Sequence, residues 1–353
     1  MAASSVDPAF WSGRRVLVTG DTGFKGGWLA LWLHSMGAKV SGIALDPDQT
    51  PNLFTLTRLA ELIEHRTVDL RDRAATQAAV EAADPELVLH LAAQPLVRES
   101  IRNPVDTFAS NVMGTVHLLE ALRGRAGLKG VLTVTSDKVY RNSDTGRAFV
   151  EGDPLGGTDP YSGSKAASEC VAYSYGRSYF DRAGVPTATS RGGNVVGGGD
   201  FSVDRLVPDL VRAIEADEQL VLRHPSSTRP WQHVLDCVAG YLTHLQAICL
   251  DPSAPRALNF GPSDEALPTV GEMATALCER LQAGKGWRHE PDPNSIEMKL
   301  LHIDASLSKR AIGFAPRLDS KAVIDLTAAW YRAYFDAADL RDFTLQQIAS
   351  YGR

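Results

Sequence analysis

Arg15-Val16-Leu17-Val18-Thr19-Gly20-Asp21-Thr22-Gly23-Phe24-Lys25-Gly26 is the stretch that decides the fold. Arg15 to Thr19 is a short β-branched run that stops at a glycine, and residues 26–36 then carry apolar side chains at helical spacing. The stretch reads as strand, tight turn, helix. Outward from it the alternation repeats, with strands at 39–44, 65–69 and 87–91 and a helix at 74–83. It continues through a helix at 111–122, a strand at 130–135, a helix at 161–180 and a strand at 186–191. Strands alternating with helices predict right-handed crossovers and a parallel α/β sheet. From Gly192 the texture changes to Gly197-Gly198-Gly199 and proline-containing loops, and helices at 209–215 and 270–281 lack regular strand partners. The division is therefore placed at 1–191 and 192–353, with residues 234–262 able to return to the first sheet. The long irregular stretch 141–160 has the length of a functional loop.

A chain of 353 residues with 44% hydrophobic and 22% charged residues is a folded chain rather than a disordered one. A formal charge of −6 argues against nucleic acid or a membrane surface as partner, because such affinity rests on excess Lys and Arg. An anionic substrate would need local arginines. Cys170, Cys237, Cys249 and Cys278 form no C-x-x-C, so neither a zinc site nor a disulfide framework is indicated, and no metal is expected. Residues 1–10 have no leader-like pattern, and no run approaches the ~18 apolar residues of a membrane span. The cytoplasm is the default location.

Gly20, Gly23 and Gly26 form G-x-x-G-x-x-G at a strand-to-helix junction, where missing side chains let backbone approach a pyrophosphate. Asp46, after the second strand, could accept hydrogen bonds from ribose hydroxyls, and with Asp48 it would repel a 2′-phosphate, which favours NAD over NADP. Asp69 could face the adenine or cap the next helix. Tyr161 and Lys165, four apart, share one helix face, and an ammonium beside the phenol would favour phenolate and make Tyr161 a base toward a sugar hydroxyl.

These segments, with His90-Leu91-Ala92-Ala93, Ser136 and Tyr161-x-x-x-Lys165, resemble the extended short-chain dehydrogenase/reductase family over essentially the whole chain. Within it the chain is most similar to the nucleotide-sugar 4,6-dehydratases, in particular the branch acting on CDP-glucose. The narrower likeness rests on 22–29, Ala44-Leu45-Asp46-Pro47, 92–98, Thr135-Ser136-Asp137-Lys138, Gly197-Gly198-Gly199-Asp200 and Arg229-Pro230-Trp231-Gln232-His233-Val234. The resemblance implies a Rossmann-type doubly wound parallel sheet with a smaller C-terminal substrate-binding domain. It implies NAD, held by Gly20, Thr22, Gly23, Phe24, Lys25, Gly26, Asp46, Asp69 and Leu70, then Leu91, Ala92, Ala93 and Asn111, and finally Tyr161 and Lys165.

The same resemblance implies that Tyr161 takes the C4 hydroxyl proton, that Ser136 hydrogen-bonds the C4 oxygen, and that Asp137 protonates the departing C6 hydroxyl. Lys138 stands where many relatives have a glutamate base, so its role as base or as stabilising cation stays open. Gln94, Arg98, Asn194, Arg205 and Arg229 match positions that contact the nucleotide sugar. Asn111 could instead cap a helix, His90 and His233 fit packing or backbone bonding, and Trp28, Trp32 and Trp231 fit the core. Residues 309–316 resemble the family's closing helix and turn, which implies a complete chain. A homodimer packed through 111–122 and 161–180 is also implied, as is a place in deoxysugar synthesis such as that of O-antigen. The alternatives are a 4-epimerase, a dehydratase of another nucleotide sugar, and a non-catalytic dinucleotide sensor.

Overall fold

The computed structural model describes residues 6–142, 146–262, 268–291 and 302–352. Its centre is a parallel sheet of seven strands: β1 (Arg15–Thr19), β2 (Lys39–Ala44), β3 (Glu64–Thr67), β4 (Leu87–His90), β5 (Gly130–Val134), β6 (Thr187–Gly192) and β7 (Ala257–Phe260). Their spatial order is β7-β6-β5-β4-β1-β2-β3. The inner strands β4 and β5 are buried along their whole length, as expected for apolar strands covered on both faces. Alternation sends Val16 and Val18 into the core on one face and Leu17 into the core on the other. The edge strand β3, Glu64-His65-Arg66-Thr67, is polar and half-exposed, which discourages pairing with another chain.

The order reverses between β1 and β4, and in open α/β sheets a crevice forms at the carboxyl ends of the strands at such a point. Gly20, Leu91 and Ser136 each follow the carboxyl end of a strand within two residues, so the topology delivers them to one rim.

The chain returns to this sheet late. The buried Val234–Leu250 helix lies over it, and β7 pairs with β6 from Ala257 opposite Thr189 to Phe260 opposite Gly192. Two small parallel pairs complete the far side, Val195–Val196 with Gln232–His233 and Leu220–Leu222 with Trp287–His289. The Ser306–Ile312 helix ends at Gly313 in the left-handed region, but it does not close the fold. Two helices follow, Ser320–Phe335 and Leu340–Tyr351. Trp330 and Tyr331 anchor the first in the core, and Arg58 with Asp339 (2.7 Å) and Arg341 with Glu61 (2.6 Å) tie the second to the segment before β3.

Several elements differ from the sequence reading. Helix begins at Val97–Arg102 and resumes at Pro104–Phe108, running through a π-helical turn at Ala109–Met113 into Gly114–Leu122. Asn111 is therefore inside a helix and caps nothing. Asp72, not Asp69, caps the Arg73–Ala83 helix by accepting from Ala74 and Ala75. The loop after β5 is tied down: Tyr140 pairs with Leu155, Phe149 pairs with Ile303, and the Tyr140 and Phe149 rings stack at 5.0 Å.

Candidate active site

The glycine turn packs backbone on backbone. Gly20 has φ +79°, its N–H donates to Ile43 O at 2.8 Å, and a Cβ there would lie 2.7 Å from Ala92 N. A Cβ on Gly26 would lie 2.0 Å from Gly20 O, so neither position admits a side chain. The Phe24–Ser35 helix starts at Gly23 with no side-chain cap and no acidic residue in its first turn. Its leading N–H groups and the positive end of its dipole are therefore available to an anion, and a dinucleotide pyrophosphate fits them. Thr22 ties the turn to Leu45 O at 2.9 Å. Asp46 is exposed two residues beyond β2 and accepts from Thr67 Oγ1 at 2.7 Å, a position suited to ribose hydroxyls.

Asp69 is paired with Arg71, which folds back on it at 2.7 Å and holds its carboxyl below the usual range. Leu70 is buried against Gly114. Leu91 N–H donates to Thr19 O, and Ala92 N–H to Thr19 Oγ1. Asn111 accepts from Gln94 N at 2.7 Å and donates to Ser164 Oγ at 2.8 Å, pinning the loop after β4 to the Pro160–Tyr175 helix.

Around the end of β5 stand several titratable groups. Ser136 Oγ donates to Asp137 Oδ1 at 2.9 Å and accepts from Lys138 N at 3.2 Å. Asp137 is only 3% exposed, and burial pushes its carboxyl upward against the opposing pull of Lys138, Ser136 and Lys25. Burial likewise pushes the Tyr161 phenol up to about 12, with Ser136 and Arg205 acting the other way. Lys165 is lowered to about 7 by burial and then by the Lys25 charge, and its Nζ donates to Val134 O at 3.0 Å. Lys165 is held on the strand carbonyl, and desolvation dominates at both groups.

A network behind these residues went unread in the sequence. Glu169 accepts from Thr135 Oγ1 (2.5 Å) and Thr189 Oγ1 (2.7 Å), and pairs with buried Arg191 at 2.8 Å. Arg191 donates in turn to Tyr140 Oη, which donates to Asn259. The signal was available for one member, because Glu169 follows Lys165 at the spacing by which Lys165 follows Tyr161.

Ser136, Asp137, Lys138 and Tyr161 line one wall of a cavity of about 710 Å³, a size that accepts a nucleotide sugar. Arg98, Asn194, Arg205 and Arg229 line it too. Arg205 pairs with Asp200 at 2.8 Å, which keeps it charged, and Arg98 meets Asp204 at 3.2 Å. Gln94 is not brought to this wall, since its amide bonds Leu96 and Thr107 and shapes the loop. Trp231 packs on the core and also lines the cavity, whereas Trp28 and Trp32 are buried in the core. His90 bonds Thr19 and Thr115 through its two ring nitrogens, and burial lowers it to about 3. His233, also lowered by burial to about 3, accepts from Leu235 N. Among the described residues no helix is long and apolar enough to cross a membrane.

Comparison with known proteins agrees with this geometry. The model of the NAD dependent epimerase/dehydratase family matches residues 16–261. The chain is 39% identical over 352 residues to CDP-glucose 4,6-dehydratase of Salmonella typhimurium, covering 98% of each chain. It is 30% identical over 339 residues to dTDP-glucose 4,6-dehydratase of Xanthomonas campestris pv. campestris, covering 89% of this chain and 92% of that one. Among solved structures, UDP-glucose 4-epimerase of Thermus thermophilus in complex with NAD superposes with a TM-score of 0.76 at 25% identity, covering 90% of this chain and 98% of that one. Relatives that match nearly end to end, on a sheet whose switch point carries the glycine turn, leave one conclusion: the chain belongs to the NAD-dependent epimerase/dehydratase family.

Proposed function

We propose that the chain is a nucleotide-sugar 4,6-dehydratase, a hydro-lyase that converts CDP-D-glucose to CDP-4-dehydro-6-deoxy-D-glucose and water. The observation that carries this reading is Asp137, a buried carboxyl hydrogen-bonded by Ser136 in the cavity that Tyr161 also lines. Burial extends its protonated form toward neutral pH, which is what a proton donor to a leaving hydroxyl requires. A 4-epimerase needs Tyr161 and Lys165 but no acid there. The 39% identity to the Salmonella enzyme supports CDP-glucose over other nucleotide sugars.

When bound, NAD supplies an acceptor that takes hydride from C4 and returns it at C6, so the turnover is redox-neutral. Tyr161 accepts the C4 hydroxyl proton, and because its resting phenol is pushed to about 12, it relies on the opposing influence of Ser136 and the charge of Arg205. Ser136 steadies the C4 oxygen as an oxyanion donor does. Lys165 holds the cofactor ribose. Asp137 gives its proton to the C6 hydroxyl as water leaves. Lys138, half-buried on the same wall, acts at C5 either as base or as the cation beside the enolate. Arg98, Arg205, Arg229 and Asn194 receive the diphosphate and sugar, where forked guanidinium donors match phosphate oxygens.

The wider reading has residues 192–353 supplying most of the nucleotide-sugar contacts, within a cytoplasmic enzyme of deoxysugar synthesis, such as that feeding O-antigen. It includes a homodimer. Support for the dimer comes from exposed apolar side chains on the two helices concerned, Met113 and Tyr173 among them, and on the Pro104–Phe108 helical turn that leads into the first, where Val105 (79% exposed) and Phe108 stand.

The test is incubation of the pure protein with CDP-, dTDP-, GDP- and UDP-glucose, followed by mass analysis. Loss of one water from CDP-glucose, with a keto product, is expected. A C4 epimer of unchanged mass would make the protein an epimerase, and preferential turnover of another nucleotide would reassign the substrate.

A further inference from the structure

Lys25 is the second residue of the Phe24–Ser35 helix. Helical side chains lean toward the helix N-terminus, and Lys25 lines the same cavity as Ser136, Asp137 and Tyr161. Its ammonium stands 5.8 Å from the centre of the Tyr241 ring, and Tyr241 is fully buried with its hydroxyl beneath Gly192. Among the described residues the Lys25 ammonium makes no hydrogen bond or ion pair. Its charge nevertheless reaches the reacting groups, opposing the charged form of Lys165 and favouring the carboxylate of Asp137. Two ammonium groups that repel each other, one of them unpaired and half-buried, raise the free energy of the resting protein. An apolar side chain would fill the same space without that cost.

We propose that Lys25 is a positioning residue of an electrostatic kind, biasing the bound dinucleotide toward its reduced form. This rests on the reading of the cavity as the NAD and sugar site. The argument is one of charge. The oxidised nicotinamide ring is cationic and the reduced ring is neutral, so a nearby ammonium disfavours the oxidised form relative to the reduced one. The ring must come beside Asp137 and Lys165, the groups that Lys25 influences, because hydride and proton leave the same C4–O unit and Tyr161, which takes the proton, lines the same cavity as Lys25 and Asp137. Drawing hydride from a secondary alcohol is the difficult half of a redox-neutral cycle, and this bias helps that half.

Binding of NAD+ and of NADH, measured separately by calorimetry without sugar, tests the proposal in the wild type, Lys25→Met and Lys25→Arg. The ratio Kd(NAD+)/Kd(NADH) should fall about tenfold in Lys25→Met, the scale of one charge interaction at a partly screened site. Lys25→Arg should keep the wild-type ratio. Equal weakening of both forms would make Lys25 a phosphate anchor and overturn the proposal, as would unchanged affinities. If Lys25→Met does not fold, Lys25→Gln gives the same comparison with a polar, uncharged stem. Failure of the wild type to bind either form would remove the cofactor reading and this inference with it.

Discussion

Asp137 and Tyr161 are two acids that burial pushes in the same direction, yet the chemistry asks one to give a proton and the other to take one. For Asp137 the upward push serves the role directly. Replacement by Asn keeps the shape and removes the proton, so dehydration should slow by about 10²–10⁴-fold, the range for a positioned acid. The first oxidation should survive, so reduced-nicotinamide absorbance should accumulate on mixing with CDP-glucose. Unchanged product formation would exclude Asp137 as the acid. For Tyr161 the push opposes the role, and Tyr161→Phe should cost at least about 10²-fold in turnover while titrations show NAD binding nearly intact. Lys165 offers a test in stability. Its folded value is depressed to about 7 from 10.5, so between those values the unfolded chain binds more protons and stability rises with pH. Below about 7 the full penalty is present. Urea unfolding at pH 7 and pH 9 should show the wild type gaining about 2 kcal/mol relative to Lys165→Met, and parallel behaviour of the two proteins would contradict a buried, depressed ammonium.

At the scale of elements, the strands easiest to read are those with the least solvent. β1, β4 and β5 are apolar runs buried on both faces, and their observed bounds fall within one residue of the sequence reading. The helices at Val97–Arg102 and Pro104–Phe108 escaped because they are short, polar and interrupted by proline, and what holds them is the cavity wall and the neighbouring helix. The strands at Leu220–Leu222 and Trp287–His289 are too short to carry a period and exist through each other. In the site, residue types and their shared helix face were legible, but partners across elements were not. Nothing in the spacing of Tyr161 and Lys165 shows that the carbonyl of Val134, 31 residues back, would claim the ammonium. The Glu169–Arg191 pair is the clearest case. It joins a helix to β6 and braces Thr135, next to Ser136. Removing one member leaves a buried charge unmatched, so Glu169→Ala should lower stability by about 3–5 kcal/mol in denaturant unfolding, and a loss below about 1 kcal/mol would show that water reaches Arg191.

For the whole molecule, the issue is what covers the helices at Pro104–Phe108, Gly114–Leu122 and Pro160–Tyr175. Val105, Phe108, Met113, Tyr173 and Tyr179 are all exposed large apolar groups on or beside these helices. Scattered exposed apolar residues are ordinary, but several along adjacent helices form the kind of patch that marks an interface. The same segments contain Asn111, which fixes the loop after β4, and Tyr161 and Lys165. A second copy pressed against this face would therefore stiffen the site from behind without entering the cavity. Two-fold packing is self-complementary, so one substitution acts twice at the interface. Val105→Glu together with Met113→Lys places charges where the proposed interface excludes water. Sedimentation velocity should then shift from dimer to monomer, and the midpoint of thermal unfolding should lose its dependence on protein concentration. Turnover should fall less than in Tyr161→Phe, because the altered side chains lie outside the cavity lining. A variant that sediments as the wild type does would place the dimer contact on another face.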